Sequence, residues 1–521
     1  MTVVQSSPRG RILLVFPEAR ANYGSGDLKR SDLKVERLGA IYPPLGPLYV
    51  AGALQQAGFE VRFVDYSVWP YDSADLRRRL EGCDLLGLHT QTHCRDSAAR
   101  IARDARCIRP EIRVMAGGPD VTLFRHLPQG VDLALPGEVE RTVGDAAACL
   151  LGTRRGACPG VRAERAENML PLSRLPGVIF RRPGGELAST DELDVCERLE
   201  SLPRPARDIV DRRDYSLFGG FRGRTASLIT GRGCTGHCRF CARPAYAYHR
   251  YRARPVQDVL DEIEAVARAG SRFLYITDDN LLADRQRALA LMRGIVQRKI
   301  DLYLKIVARV DVADAELYDA LHRAGVRFVD FGLESGCQDL LDFYGKGTTV
   351  EQGRRAVRLA DERGIFVHAH VIIGAPHEEE RQVRRTIELV RELPIDTVFF
   401  NVLGYRRGSA LWGEARQRGL VSDEEEVVLA CRERGLGRFS RAELARLHGH
   451  AVRSFYLRRA YLQHALLKLA RCGDRELAGA VLRIAGHVAF RLAAQGLGQR
   501  WSRWASSASG EESTPLHSQL T

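Results

Sequence analysis

Nothing in the 521-residue chain approaches the ~18–20 consecutive apolar residues a helix needs to cross a bilayer. The start, Met1-Thr2-Val3-Val4-Gln5-Ser6-Ser7-Pro8, lacks the apolar core of a secretory leader. Disulfide-framework spacing is missing too. Of the twelve cysteines, Cys83, Cys94, Cys107, Cys149, Cys158, Cys196, Cys337, Cys431 and Cys472 are scattered. That argues against a disulfide-stapled secreted scaffold and for a reducing, cytoplasmic setting. Lysine is scarce, at six of the 78 basic residues, so the net charge of +13 reads as a solvated arginine face rather than a nucleic-acid footprint. Much of the excess sits late, where residues 431–505 hold 15 basic against 4 acidic side chains. No G-x-G-x-x-G follows the first apolar run, which disfavours a nicotinamide dinucleotide. No catalytic triad or carboxylate pair stands out.

What is present is a long alternation of strand and helix, enough chain for two or three domains. Arg11-Ile12-Leu13-Leu14-Val15-Phe16, closed by Pro17, reads as a buried parallel strand. A helix follows Pro43-Pro44-Leu45-Gly46, strands follow at 60–65, 85–90 and 112–116, and a second helix runs from about Ser97 to Ile108. Residues 1–150 therefore predict a Rossmann-like, doubly wound parallel sheet in an α/β chain. Ligands of such sheets sit beyond the carboxyl ends of the strands. Gly117-Gly118-Pro119 falls there, and the missing Cβ atoms are expected to let a large flat or nucleotide-bearing ligand reach the backbone. Residues 151–221 read as a connector with a hairpin turning at Pro183-Gly184-Gly185 and an extended linker at Leu202-Pro203-Arg204-Pro205. Between 222 and 415, six strand–helix units predict a partial (β/α)6 barrel, with its chemistry at the strand ends. Residues 416–504 read as a helical C-terminal region, over 422–433, 440–471 and 475–498, capping the barrel rather than lying on a membrane. Residues 505–521, rich in Ser and Gly, read as a disordered tail.

The most specific stretch is Gly231-Arg232-Gly233-Cys234-Thr235-Gly236-His237-Cys238-Arg239-Phe240-Cys241, with thiols spaced C-x3-C-x2-C on a loop leaving a strand. Three thiolates on a [4Fe-4S] cluster leave one iron open for another ligand. Zinc would need a fourth residue, and only His237 or His249 is near. The spacing, with Phe240 before the third cysteine, resembles the cluster loop of the radical S-adenosylmethionine (SAM) superfamily. Pro43-Pro44-Leu45-Gly46, Gly117-Gly118-Pro119 and Gly137-Glu138-Val139-Glu140 resemble the cobalamin-binding domain of its class B, cobalamin-dependent members. The D-x-H-x-x-G motif that supplies a histidine to cobalt in other cobalamin domains is absent.

The resemblance implies that Cys234, Cys238 and Cys241 hold a [4Fe-4S] cluster. It implies that Asp278, Asp279 and Asn280 meet the SAM amino group, Arg309 its carboxylate and Glu334 its ribose, with Gly374 on the small-residue motif of the fifth barrel strand. Pro44, Gly46, Thr90, Gly117, Gly118, Gly137 and Glu138 are implied for cobalamin. His368 and His370 alternate on one strand and so share a face, either toward substrate in the cavity or against the helices. The expected activity is methyl transfer from SAM, through methylcobalamin and a 5′-deoxyadenosyl radical, to an unactivated carbon of a specialised-metabolite intermediate, with phosphorus a lesser option. The expected partners are a small-molecule substrate and a flavodoxin- or ferredoxin-type electron donor, with neither nucleic acid nor membrane. Three alternatives stay open. One is a cobalamin-dependent radical enzyme that cyclises, rearranges or oxidises. A second is a tRNA methylthiotransferase, which needs three further cluster cysteines that Cys83, Cys94 and Cys107 do not space correctly. The third is a non-catalytic iron–sulfur or zinc protein.

Overall fold

The computed structural model describes residues 8–18, 42–152, 172–182, 184–190, 193–212, 215, 221, 223–246, 250–471, 473–483 and 486. Its first sheet is built from β1 (Arg11–Phe16), β2 (Glu60–Asp65), β3 (Leu85–His89), β4 (Arg113–Gly117) and β5 (Leu133–Leu135), all parallel, in the order β2-β1-β3-β4-β5. Leu13 and Val15 pack into one core while Ile12 and Leu14 pack into another. A strand buried on both faces is apolar at every position, which is why β1 shows no alternation. The segment read as a connector extends this sheet: β6 (Ile179–Arg181) and β7 (Leu187–Ser189) form a hairpin that adds antiparallel to β5.

The second sheet is β8 (Thr225–Leu228), then, past a small pair of β9 (Gly231–Arg232) and β10 (Arg252–Ala253), β11 (Phe273–Ile276), β12 (Tyr303–Ala308), β13 (Val326–Glu334), β14 (Phe366–Ile373) and β15 (Thr397–Val402). Its six long strands are parallel, neighbours in space as in sequence, and β8 does not close onto β15. This is the expected partial barrel. Helices Val256–Arg268, Arg285–Gln297, Ala315–Arg323, Val350–Glu362 and Glu380–Glu392 pack on its outer face in one large core.

The C-terminal region is not helix alone. Where a helix was expected over 422–433, β17 (Val427–Leu429) pairs antiparallel with β16 (Gly404–Arg406), and a short 3-10 turn, Arg432–Arg434, follows. Two adjacent β-branched valines suit a pleated edge, and the pairing partner lies about twenty residues away, outside any helical window. The helix expected over 440–471 breaks into Arg441–Tyr456 and Arg459–Arg471. Of the stretch 475–498, residues 475–483 and 486 are helical; the others, like the tail 505–521, lie outside the described residues. Leu477 and Ala480 plug the lower mouth of the barrel against Phe221, Phe273, Tyr303 and Phe366. Among the described residues no helix is long and apolar enough to cross a membrane.

The linker at 202–207 runs between the two domains. Glu262, buried on the first barrel helix, takes Arg204 at 2.6 Å, Arg207 at 2.9 Å and Arg254 at 2.6 Å. Burial alone would raise its carboxyl, but the guanidinium charges of Arg207 and Arg254 outweigh that and hold it below the usual glutamate range. Removing one member of a buried ion pair strands its partners, at about 3–5 kcal/mol. Glu262→Ala is therefore expected to lower unfolding stability by about that amount at neutral pH. A folded-state pKa below the unfolded one gives stability that is complete above the ordinary value of 4.5 and is lost as pH falls through the folded value. Denaturant titrations at neutral and acid pH check this: the wild type loses the increment on acidification, and the variant has none to lose.

Candidate active site

The cysteine loop leaves the buried strand β8 and is gripped on both sides. The Arg239 N–H donates to the Tyr344 carbonyl at 2.8 Å, and Phe240 meets the Tyr344 ring edge-on at 5.5 Å. Cys234, Cys238 and Cys241 are half-buried and free of disulfides. The Gly236 N–H donates to Cys234 Sγ at 3.3 Å, and Arg309 Nη1 donates to Cys238 Sγ at 3.5 Å. A Cβ on Gly236 would stand 2.7 Å from that same Nη1, so a larger residue there would push the guanidinium off its place over the loop. Burial pushes the Cys234 thiol up, and pushes Cys241 up to about 11. Thiols in such a site ionise when a cation takes the proton's place, and Arg309 offsets the resulting charge. A single zinc ion, at about 2.3 Å from each sulfur, would need the three sulfurs within about 4 Å of one another. Among the described residues only Asp330, His368 and His370 bring three donor atoms within 4.8 Å. As placed, the three thiols are too far apart to share one ion, and they remain the donor set for a cluster in which each would take its own iron.

The strand-end residues divide by what they touch. Asp278 is fully buried and accepts from the Thr230 N–H at 2.6 Å and hydroxyl at 2.5 Å, its pKa pushed by burial up to about 6. It holds the turn from β8 into the cysteine loop. Asn280 accepts from the Arg309 and Leu282 N–H groups, each at 3.2 Å. Asp279 alone of the three faces the thiols. It lies 3.3 Å from Arg243 Nε, and its charge raises Cys234 and Cys241. Arg309 is braced by Asp311 at 2.8 Å and by the Lys346 carbonyl. Glu334, at φ +61° where β13 loses register with β14, pairs with Lys346 at 2.7 Å, both side chains buried. Gly374, at φ +94°, and Ala375 donate their N–H groups to Glu378, whose buried carboxyl is pushed up to about 7.

Sequence reasoning missed Lys346 and Glu378. In so lysine-poor a chain, a lone Lys in Tyr344-Gly345-Lys346-Gly347 was the available signal.

The lumen is layered. Phe273, Tyr303, Phe328 and Phe366 form an aromatic floor. Above it stand Tyr275, Lys305, Asp330, His368 and His370, with Lys305 Nζ 3.0 Å from Asp330 and His368 Nδ1 3.3 Å from it. The two histidines thus point into the cavity. His370 is pushed down to about 4 by burial and stays neutral. Burial would raise Asp330, but the facing His368 and Lys305 hold it down at about 2. Phe399, 52% exposed, stacks on both histidines at the open edge.

On the crest of the first sheet, Thr90 donates from N–H and hydroxyl to the Gly117 carbonyl at 2.7 and 3.0 Å. The glycine pair also has a packing reason to lack side chains. A Cβ on Gly118, at φ +111°, would meet the Thr90 carbonyl at 2.7 Å and the His89 ring at 3.1 Å, and one on Gly117 the Leu135 carbonyl at 3.2 Å. Glycine is required there by internal packing. Pro44 opens the helix Leu45–Gln56, Gly46 lies against His89, and Gly137 donates its N–H to Thr122 at 2.9 Å. Burial pushes His89 down to about 4, and its ring stacks on Phe16. Glu138 reaches away from the crest to Arg252 at 2.6 Å and Arg232 at 3.2 Å, and Arg232 also pairs with Glu140 at 2.5 Å. The carboxyl ends of the first sheet and the cysteine loop therefore share one interface. A corrinoid bound beyond the carboxyl ends of the first sheet would lie on the side that faces the cysteine loop.

Residues 33–147 match the B12 binding domain and residues 228–390 the radical SAM superfamily. An uncharacterised methyltransferase of Pyrococcus horikoshii is 25% identical over 457 residues, covering 86% of this chain and 93% of that one. The anaerobic magnesium-protoporphyrin IX monomethyl ester cyclase of Rubrivivax gelatinosus is 24% identical over 469 residues, covering 88% and 79%. The radical SAM methyltransferase TsrM of Kitasatospora setae, solved with cobalamin and a [4Fe-4S] cluster bound, shares the fold at a TM-score of 0.60 and 21% identity over 79% of this chain and 75% of that one.

Breaking the Glu334–Lys346 pair from one side leaves a buried charge, at about 3–5 kcal/mol. Lys346→Met is expected to destabilise by that much, and the double variant Lys346→Met with Glu334→Gln by clearly less. A double-mutant cycle from urea unfolding reads the difference.

Proposed function

We propose that the chain, which carries both a B12 binding domain and a radical SAM domain, acts as a cobalamin-dependent radical SAM enzyme and moves a methyl group from SAM, by way of cobalamin, to an unactivated carbon of a small molecule held in the barrel. One observation carries the reading: Arg232, two residues before Cys234, is ion-paired to Glu138 and Glu140 on the crest of the other domain. When bound, the cluster supplies the electron that splits the sulfonium of SAM, and the corrinoid carries the methyl group. The chain's own part is to bind, orient and exclude water. Cys234, Cys238 and Cys241 would hold the cluster, and Arg309 lies over Cys238 as a fixed positive charge. Asp279 faces the loop with a carboxylate suited to the SAM ammonium, while Glu334, fixed by Lys346, offers an acceptor at the end of the fourth barrel strand. Asp278 and Asn280 hold the backbone that carries these groups. The aromatic floor and Leu477 seal the lower mouth, so substrate enters at the upper rim or through the unclosed edge beside Phe399.

The substrate we favour is a specialised-metabolite intermediate, and the electron donor a flavodoxin- or ferredoxin-type protein in the cytoplasm. The likeness to a cyclase over most of the chain keeps one second reading, radical ring closure without methylation.

Anaerobically reconstituted enzyme given methyl-labelled SAM and reductant is expected to release 5′-deoxyadenosine and S-adenosylhomocysteine, and to pass label into product. Cys238→Ala should hold cluster iron at background and release neither. Deoxyadenosine without label transfer selects the cyclase-type reading; its absence from the wild type ends both.

A further inference from the structure

His368 and His370 stand two apart on β14, so both imidazoles project to the lumen side. Asp330 on β13 lies directly opposite His368 in the parallel register. One donor atom from each comes within 4.8 Å of the other two, and among the described residues no other three His, Cys, Asp or Glu side chains do so. Two of the atoms in this group lack a hydrogen bond. The buried Nε2 of His368 has no hydrogen bond; Asp330 is 7% exposed, and its Oδ1 has no hydrogen bond but faces His368 Nδ1 at 3.3 Å. The other carboxylate oxygen is committed, with Lys305 Nζ at 3.0 Å and the Tyr275 hydroxyl donating at 3.4 Å. One carboxylate oxygen is thus held by two donors while the other meets only the Nδ1 of His368, a histidine–carboxylate contact of the kind that orients a metal-binding imidazole and leaves its Nε2 for the ion.

We propose that Asp330, His368 and His370 bind one divalent transition-metal ion in the barrel lumen, separate from the iron–sulfur cluster. Two imidazole nitrogens and a carboxylate oxygen suit Zn2+ or Fe2+. Three protein ligands leave at least one coordination position for water or for an oxygen or nitrogen of the substrate. The ion would anchor a substrate by chelation above the aromatic floor, which needs no electron and no proton from it. The charge of Lys305 opposes the ion, so this lysine limits affinity while it orients the aspartate. A lumen serving organic substrate alone would leave the same atoms unpartnered until substrate arrives; the two cases differ in whether a metal is held without substrate.

The test uses reconstituted holoenzyme, whose three loop cysteines are occupied by cluster, dialysed against micromolar Zn2+ and desalted before zinc and iron are measured together. Wild type is expected to retain one zinc per chain more than Asp330→Asn or His370→Ala at unchanged iron. Lys305→Met should reach the same stoichiometry at several-fold lower Zn2+. Asp330→Asn is isosteric and decides the matter where His370→Ala fails to hold its cluster. Equal zinc in the wild type and Asp330→Asn overturns the proposal and leaves the lumen to organic substrate alone; weaker retention in Lys305→Met overturns it as well.

Discussion

The structure depends on a small set of buried guanidinium–carboxylate pairs that lock the crest of one sheet against the mouth of the other. Arg232 is the central one. It projects from the strand that becomes the cysteine loop, takes Glu138 and Glu140 from the far domain, and lies over the Tyr49 ring at 5.5 Å. Arg252, on the paired strand β10, takes Glu138 from a second direction. Pairs of this kind contribute little net stability, because desolvation cancels most of the attraction, but they fix position. Here the position fixed is that of the cysteine loop of one domain against the carboxyl-end loops of the other.

The linker serves the same constraint. Tyr215 donates to Asp65 at the end of β2 at 2.9 Å, Ser227 on β8 donates to the Pro43 carbonyl at 2.9 Å, and Arg407, beyond β16, donates to the Leu123 carbonyl at 3.1 Å. Each contact joins a strand or loop of one domain to the other. The domains are thus held by scattered directional contacts rather than by a shared apolar core, since the main clusters stay within one sheet system or the other.

Most strands were legible because each is a short apolar run ending in Gly, Pro, Asp or Asn. The cysteine loop was legible because thiol spacing on one turn is local information. What sequence could not supply was partnership at a distance. Glu138 and Arg252 are 114 residues apart, and no window relates them. Asp278, Asp279 and Asn280 are consecutive, yet they lie on a bend past the end of β11, and one reaches the thiols while the others hold the chain. The crest glycines were visible as glycines, but whether a missing Cβ makes room for a ligand or for a neighbouring carbonyl depends on the Thr90 turn. The β16–β17 pair was lost for the same reason, because Val427–Leu429 becomes a strand only when β16 lies beside it.

Lysine usage shows how chemistry is read from scarcity. A chain that answers nearly every need for positive charge with arginine places Lys305, Lys346 and Lys468 in or beneath the barrel, each largely buried against a carboxylate. A guanidinium is a wide planar fork that needs room and several acceptors, whereas an ammonium is a compact charge that fits a tapered interior. Lys468 binds Asp396, Asp361 and the Ile365 carbonyl and so ties a C-terminal helix under the barrel. Lys346 fixes Glu334 beside the cysteine loop, and Lys305 fixes Asp330 in the lumen. The three mark, from bottom to top, where the barrel is closed, where it is polar inside, and where its cofactor rim begins.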